Sequence, residues 1–369
     1  MYRVSCGIRS HYRILFLVLI TLTGSPRVLA QQQSEYHDIQ TPIQLTHTFL
    51  WDPHSTDLED WQYMGRGIPA MVAGETGELF IADEQNTRII HITTEGELLQ
   101  VIGRSGDGPG EFRFTDEIAY DQDNDMLWVL QNRAGLITLF ERTSTGFQFK
   151  SNHRDYRFFF ADLELDGERT FWTKLIYQEQ GFRRPEDASL FIKLDLSGEI
   201  VQSVGEYWLS WDQEIGDNVI RANEGILVTL DQGRVAYIWW YRPRIDIWDR
   251  DGELLNHREF TTGDVVKHDV HWVHPEYGDV YSPYFFDAMF SSSSGVLYVV
   301  FGVRDESRQE IFGLNPTTLS IEEWYQFQLP ADIDLGLMRF VVGEEDGLTT
   351  FWAMEMYTSC LTALRQSGR

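Results

Sequence analysis

Cysteine, lysine and long apolar runs are all scarce in this sequence. Its 369 residues include two cysteines, Cys6 and Cys360, which stand at opposite ends of the chain. Lysine occurs only at positions 150, 174, 193 and 267. The longest strongly apolar stretch is the 11 residues Ile14–Gly24, well short of the roughly 20 that span a bilayer as a helix. A disulfide framework is therefore excluded, no apolar stretch has the length of an ordinary membrane-spanning helix, and the fold must be held by packing.

The apolar stretch at the N-terminus has the pattern of a secretory signal. Arg3, Arg9 and Arg13 precede it, and Val28-Leu29-Ala30 follows it as a small-residue cleavage site. We predict a signal peptide over residues 1–30, with an uncleaved membrane anchor as the alternative. The mature protein would be exported, either to the periplasm or outside the cell, and would keep a single cysteine.

Positive charge is as scarce as cysteine. Without residues 1–30, the chain has 26 basic residues against 57 acidic ones, a net charge of −31. Such a surface repels nucleic acid and anionic lipid. We therefore expect no nucleic-acid partner, no membrane insertion of the mature chain and a monomeric state, and we attribute the acidic excess to solvation.

What the sequence does contain is an internal repeat with β patterning. Arg88–Leu99 aligns with Leu190–Val201 and with Arg244–Leu255, and a weaker copy is Thr138–Phe149. Each copy has apolar alternation, then a turn glycine, at positions 96, 146, 198 and 252. A spacing of about 50 residues with this patterning indicates the blades of a β-propeller.

The first repeat also carries a family resemblance. An apolar strand ends in Asp83, and Asn86-x-Arg88-Ile89 and Gly108-Pro109-Gly110-Glu111-Phe112 follow it. This segment resembles an NHL-type β-propeller repeat, and is similar to the six-bladed propellers of secreted bacterial proteins without an assigned function. Some NHL-type propellers are metal-dependent lyases or lactonases, but none of their catalytic motifs is found here. We interpret Asp83 and Arg88 as a structural ion pair or turn.

The predicted fold is all-β: a six-bladed β-propeller of four-stranded antiparallel blades. The last blade lacks one strand, and Ile43–Trp51 is one strand too many at the start. Pairing the two would close the ring and protect both open edges. The predicted organisation is a signal peptide over residues 1–30, a flexible leader over 31–42 and a single propeller domain over 43–369.

Three local motifs have simpler explanations than a functional site. Gly103–Gly110 lacks the Gly-Lys-Ser/Thr of a phosphate loop, so we interpret it as a blade-to-blade connection. Asp121–Asp125 has the spacing of calcium ligands but lacks the following glycine and the twelfth-position glutamate, which favours an acidic hairpin turn. Cys360 lies in a strand-like run and is interpreted as a buried structural thiol.

A histidine motif is the candidate metal site. His268, His271 and His274 are spaced H-x-x-H-x-x-H and carry the imidazole nitrogens that Zn²⁺ uses. Pro275 argues against a helix that would stack them. The sequence therefore predicts a loop here. It leaves the cofactor open, with a divalent metal as the candidate and solvated loop histidines as the favoured alternative.

The long connections point to a binding face. In up-and-down blades, the loops between the second and third strands and those between blades leave on the same side. The long segments Gln178–Ala188, Glu206–Asn218 and Thr261–Tyr284 all belong to that side. Binding groups concentrate on such loops. The candidate ligand-binding residues are Arg183, Arg184, Trp208, Trp211, Trp272 and Tyr277.

Three functions remain open at this point. The first is a secreted or periplasmic propeller that binds a protein, peptide or glycan through its long-loop face. The second is a metal-dependent hydrolase or lyase, and the third is a scaffold or adhesion module. No catalytic motif such as G-x-S-x-G occurs, which favours a binding role over an enzyme.

Overall fold

Short antiparallel strands dominate the computed structural model from residue 43 to residue 366. The residues described are 41–51, 59–62, 64, 70–74, 77–131, 134–154, 160–167, 170–175, 189–206, 223–240, 242–260, 271–274, 278–281, 285–301, 309–328, 338–345, 347–355 and 360–366. The predicted signal peptide and most of the predicted leader lie outside them.

The strands are numbered in chain order. Those of the first three blades, with the strand that precedes them, are β1 (Ile43–Trp51), β2 (Met71–Ala73), β3 (Glu78–Asp83), β4 (Arg88–Thr93), β5 (Leu98–Ile102), β6 (Glu117–Asp121), β7 (Met126–Gln131), β8 (Leu136–Thr143), β9 (Gly146–Arg154), β10 (Phe160–Leu165), β11 (Thr170–Leu175), β12 (Ser189–Asp195) and β13 (Ile200–Glu206). The others are β14 (Gly225–Thr229), β15 (Val235–Trp239), β16 (Arg244–Trp248), β17 (Leu254–Glu259), β18 (His271–His274), β19 (Gly278–Tyr281), β20 (Phe285–Ser291), β21 (Val296–Phe301), β22 (Gln309–Leu314), β23 (Ile321–Phe327), β24 (Met338–Glu345), β25 (Leu348–Glu355) and β26 (Leu361–Gln366).

Four-stranded antiparallel sheets form blades one to four. They are β2–β5, β6–β9, β10–β13 and β14–β17, each in sequential order. Blade five is β20–β23. Blade six is β24–β26 completed by β1, which pairs antiparallel with β26 from Leu45 opposite Gln366 to Trp51 opposite Leu361. The predicted propeller and its closure by the N-terminal strand are confirmed.

Burial along each blade follows from the position of its strands. The second and third strands are buried on both faces, as in β7, where all six residues are inaccessible. The fourth strand is largely exposed, and β5 buries only Ile102. Between blades, aromatic rings interlock. Phe80 of blade one stacks on Tyr120 of blade two at 5.3 Å and meets Phe147 edge-on at 5.2 Å. This packing replaces the missing disulfides as the source of stability.

Tight turns explain the repeated glycines. The turn glycines all have a positive φ, between 82° and 107°; they are Gly96, Gly146, Gly198 and Gly252. Each sits where the third strand of a blade turns into the fourth, in a conformation that disfavours side chains with a Cβ. The predicted period therefore reflects one recurring hairpin.

One connection that the sequence predicts to be a loop contains a hairpin. Residues 261–284 were predicted to be a loop, but His271–His274 and Gly278–Tyr281 pair as an antiparallel hairpin, β18–β19. Extended backbone suits the β-branched and aromatic residues of this segment better than a coil.

The first strand also makes a contact outside its own blade, since β1 pairs in parallel with β23 through Ile43 and Gln44. One sheet of eight strands therefore joins blades five and six.

Candidate functional site

A cavity of about 590 Å³ lies among the innermost strands of the six blades. Its walls come from β2, β6, β10, β14, β20 and β24, so it occupies the central channel. It also reaches the last residues of these strands, such as Glu344 and Glu345 of β24, and the turns that follow them, such as Ser292 and Ser293 after β20. At the other end lie the first residues of the inner strands, including Glu117 and Arg339, and we call these the floor. Inner strands begin on the side where the blade-to-blade loops arrive, so the floor faces the predicted long-loop side.

Arg339 is the centre of the floor. Its guanidinium lies 3.2 Å from Asp287 of β20 and 3.3 Å from Glu117 of β6. Asp287 also accepts hydrogen bonds from the backbone N–H groups of Phe340 at 2.9 Å and Ala288 at 3.0 Å. Burial disfavours the charged guanidinium, but Asp287 and Glu117 outweigh this and raise the pKa of Arg339. Arg339 therefore remains charged and links blade six to blades five and two.

A second ion pair joins the floor through a bulge in β10. The register of β10 against β11 shifts between Ala161 and Glu164, and Asp162 at this point has a φ of 68°. Its carboxylate lies 2.9 Å from the ammonium of Lys174 and accepts from the backbone N–H of Leu227 at 3.2 Å. Bulges and left-handed backbone at non-glycine residues cluster at functional sites. Lys174 also donates to the Gly225 carbonyl.

Two carboxyl groups of the cavity have pKa values that burial raises into the neutral range. Burial raises the pKa of Glu117 to about 7, with Arg339 opposing the shift and Asp162 and Asp287 adding to it. Burial likewise raises the pKa of Glu164 to about 8, although Glu164 accepts a 2.8 Å hydrogen bond from the backbone N–H of Thr229. Groups with such values can donate or accept a proton at physiological pH.

A further ionic network lies beside the cavity at the junction of blades one and two. Arg142 donates to Glu78 at 2.5 Å and 3.2 Å and to Asp125 at 2.7 Å. Nε2 of His91 is 3.3 Å from Glu78, and the ring stacks on Phe80 at 4.3 Å. Burial favours the protonated form of Glu78, but the hydrogen bond from Arg142 and the charge of His91 outweigh it and lower its pKa. This network fixes one edge of the cavity wall.

Acidic groups dominate the described lining of the cavity. Arg339 is the single basic residue in that lining. The acidic residues in it are Glu78, Glu95, Glu117, Asp162, Glu164, Asp287, Glu344 and Glu345. Glu345 is itself paired with Arg365 at 2.5 Å. The cavity is therefore an electronegative, partly apolar channel.

Most of the residues predicted to bind a ligand lie outside the described part of the chain. These are Arg183, Arg184, Trp208, Trp211, Tyr277 and His268. Trp272, His271 and His274 belong to β18, whose backbone alone is described. Within the described residues, no group of three or more His, Cys, Asp or Glu side chains is arranged to hold a metal ion. The histidine site and the long-loop face therefore stay predictions.

The other singled-out residues are described. Arg88 Nε contacts Asp83 Oδ2 at 2.9 Å, and Asp83 also accepts from the side chain of Asn86 at 2.8 Å. Cys360 is buried as a thiol, with its sulfur 3.3 Å from the Thr362 hydroxyl, as expected of a structural residue. Asp121–Asp125 forms the turn between β6 and β7, and Asp125 pairs with Arg142.

The charged floor was missed by sequence reasoning. Glu117, Asp162, Asp287 and Arg339 are separated by as many as 222 residues, and none belongs to a recognisable motif. The available signal was their position, since each falls within the first three residues of the innermost strand of its blade. Aligning the first strands of all blades would have placed them at the same level of one channel.

These features define the class of the protein: a six-bladed β-propeller with a charged central cavity. A family model described as "DUF5128: 6-bladed beta-propeller" matches residues 68–269. This is more than half of the chain, and the protein therefore belongs to that family. No curated protein matches the sequence.

Solved structures resemble this chain at low sequence identity. A member of the duf4221 family from Bacteroides vulgatus ATCC 8482 is 11% identical and covers 88% of this chain and 98% of its own, with a TM-score of 0.51. A protein from Bacteroides fragilis NCTC 9343 is 12% identical over 89% of this chain and 100% of its own, with a TM-score of 0.49. A virginiamycin B lyase from Staphylococcus aureus is 9% identical over 87% and 98%, with a TM-score of 0.45. The likeness to the duf4221 member is one of fold.

Over the residues that the structure describes, no helix has the length and apolar character needed to cross a membrane.

Proposed function

We propose that this protein is an exported ligand-binding propeller and that its ligand site is the central cavity. The observation that carries the proposal is the floor, where Glu117, Asp287 and Arg339 from three blades converge at one end of a concave space of about 590 Å³. Concave spaces of this size with a few convergent polar groups are typical of small-molecule sites. Export is supported by the N-terminal sequence pattern, with cleavage near Ala30 and a propeller domain over residues 43–369.

A blocking variant tests the location of the site. Ser292 is exposed and lines the cavity, whereas Ser294 is exposed in the same turn and does not line it. A panel of amino acids, sugars, polyamines and dicarboxylates at millimolar concentration would be screened by thermal shift. We expect compounds that raise the melting temperature of the wild type and Ser294→Trp by several degrees, but not that of Ser292→Trp. Equal shifts in both variants would place the ligand elsewhere.

Binding through the long loops remains a separate proposal. The protein, peptide or glycan partner predicted from Arg183, Trp208 and Trp211 would engage the end of the channel beyond the floor. Truncation of Trp208 to alanine would separate the two proposals, because that residue is not part of the described cavity lining.

A second candidate function is acid–base catalysis in the same cavity. It is favoured by the position of Glu117 and Glu164 in the lining of the cavity, where burial raises their pKa values to about 7 and about 8. A hydrolase or lyase would show turnover of ester, lactone or glycoside probes that Glu117→Gln or Glu164→Gln abolishes. Turnover that survives both substitutions would remove these carboxyls from any mechanism.

A further inference from the structure

We propose that the ligand of the central cavity is a small organic cation, which enters in exchange for protons held by Glu117 and Glu164. The inference rests on the proposed function, since it specifies what the cavity binds.

The charge of the lining selects a cation. Eight carboxyl groups and one guanidinium line the described cavity, and two of the carboxylates, Glu78 and Glu345, are paired with arginines outside the lining. That guanidinium is already shared between Asp287 and Glu117, and the nearby ammonium of Lys174 is engaged by Asp162. No basic side chain among the described residues pairs with Glu164, whose hydrogen bond comes from the Thr229 backbone at 2.8 Å. An anionic ligand would meet repulsion here, and a cationic one would supply the missing countercharge.

The arrangement of the carboxyls suits an extended molecule rather than a metal ion. They are distributed over four of the six inner strands and the adjoining turns, and no described set of three is placed to hold a metal. Half-buried apolar side chains lie between them in the lining, among them Val72, Leu165, Met289 and Phe290. Apolar walls with a few fixed polar groups are the usual environment of an organic ligand.

Proton exchange follows from what surrounds the two carboxyls. Glu117 faces Arg339 of β24, Asp287 of β20, Asp162 of β10 and Lys174 of β11, while Thr229 of β14 contributes its backbone N–H and its hydroxyl near Glu164. Burial and the neighbouring carboxylates raise the pKa of both groups, because two cations do not balance four acids. A bound cation would favour the ionised forms and lower these pKa values, so protons leave as the ligand enters.

A matched series of probes tests the ligand class. 1,5-Diaminopentane, 1,5-pentanediol and glutarate have five-carbon chains and differ mainly in charge. Titration calorimetry at about pH 7.5, in two buffers of different ionisation enthalpy, would measure affinity and proton release together. We expect the diamine to bind one site at least tenfold more tightly than the diol or glutarate, with net release of protons to the buffer.

Variants assign the effect to the cavity. Glu164→Gln and Glu117→Gln remove a titrating group, and Glu253→Gln makes the same change at an exposed turn of blade four. Proton release should fall in each cavity variant, disappear in the double variant and persist in Glu253→Gln, with folding checked by thermal unfolding. If the diol or glutarate binds more tightly than the diamine, and Ser292→Trp abolishes that binding, the ligand is not a cation but the cavity is still the binding site. Diamine binding without proton release, or the absence of binding by all three probes, would also overturn the inference.

Discussion

At the scale of single residues, the buried carboxyl groups of the cavity lower the free energy of unfolding relative to neutral side chains in the same positions. Glu164 is an acid in an apolar strand, with one backbone hydrogen bond at 2.8 Å to hold it. Its pKa is raised to about 8 in the folded protein and returns to about 4.3 in an unfolded chain. Such a cost is retained where a site requires it.

The pH dependence of stability therefore has a definite sign at Glu164. Between the two pKa values the folded state holds the proton and the unfolded state does not, so the free energy of unfolding falls as pH rises from 5 to 9. Glu164→Gln keeps the hydrogen-bond acceptor and cannot ionise. We expect it to match the wild type near pH 5 and to be more stable at pH 9 by on the order of 2 kcal/mol. Urea unfolding at both pH values measures this, and Glu253→Gln should show no such divergence.

The turn of the first repeat gives a second residue-scale prediction. Asp83 is nearly inaccessible and faces Arg88 at 2.9 Å, whereas Arg104 is 80% exposed and pairs with Glu111. Removing Arg88 leaves a buried carboxylate with fewer partners. We expect Arg88→Ala to cost about 1–3 kcal/mol and Arg104→Ala less than about 0.5 kcal/mol.

Chemical denaturation of these two variants tests the structural interpretation of the Asp83–Arg88 pair. An unaltered midpoint for Arg88→Ala would contradict it. So would normal stability combined with loss of ligand binding, because that outcome would make Arg88 a functional residue.

At the scale of elements, β1 contributes to more of the ring than one blade. It pairs with β26, touches β23 in parallel, and ends in Trp51, which is 1% exposed and meets Trp61 edge-on at 5.3 Å. Trp51 also donates to the Gly96 carbonyl of blade one at 3.4 Å. Blades five, six and one are therefore joined by a single strand.

Removing that strand should open the propeller. Deletion of residues 43–51 would expose the edge of β26 and the core beneath it, so we expect loss of cooperative thermal unfolding or a large drop in melting temperature. Trp51→Ala is a milder test, with an expected loss of roughly 3–5 kcal/mol. Gln44→Ala, at an exposed position of the same strand, is the control and should have little effect. A cooperative, unshifted transition in the deletion variant would refute closure by β1.

At the scale of the whole molecule, charge opposes the compact state. The predicted mature chain carries 57 acidic residues against 26 basic ones. Even if every basic residue formed an ion pair, many acidic residues would keep an uncompensated charge. Long-range repulsion among the remaining acids falls as salt shortens the screening distance.

Ionic strength should therefore stabilise this protein. We expect the melting temperature at neutral pH to rise as sodium chloride increases from about 0.01 M to 0.5 M, where the Debye length falls from about 30 Å to well below 10 Å. Differential scanning calorimetry measures the shift, and an equal concentration of a neutral osmolyte controls for exclusion effects. A fall in melting temperature would mean that the ion pairs outweigh the repulsion.

The sequence by itself determined the architecture. Turn glycines at a regular spacing, two-residue alternation between them, and one spare strand at the start against one missing strand in the last blade are local or counting properties, so they predicted the propeller and its closure. The closer resemblance to NHL repeats, the signal peptide and the long-loop face stay predictions. The hairpin β18–β19 shows the limit of this approach, since strand pairing within a long connection depends on contacts that no local pattern specifies.

Only the tertiary structure decided where the charged groups meet. Glu117 and Arg339 are 222 residues apart, and neither belongs to a motif. They come together because the ring brings the first strand of every blade to one axis. Burial there, beside Asp162 and Asp287, raises the pKa of Glu117 to about 7, which the sequence around Glu117 could not reveal. A desolvated carboxyl is a property of the closed ring, and the candidate site exists only once the last blade has paired with the first strand.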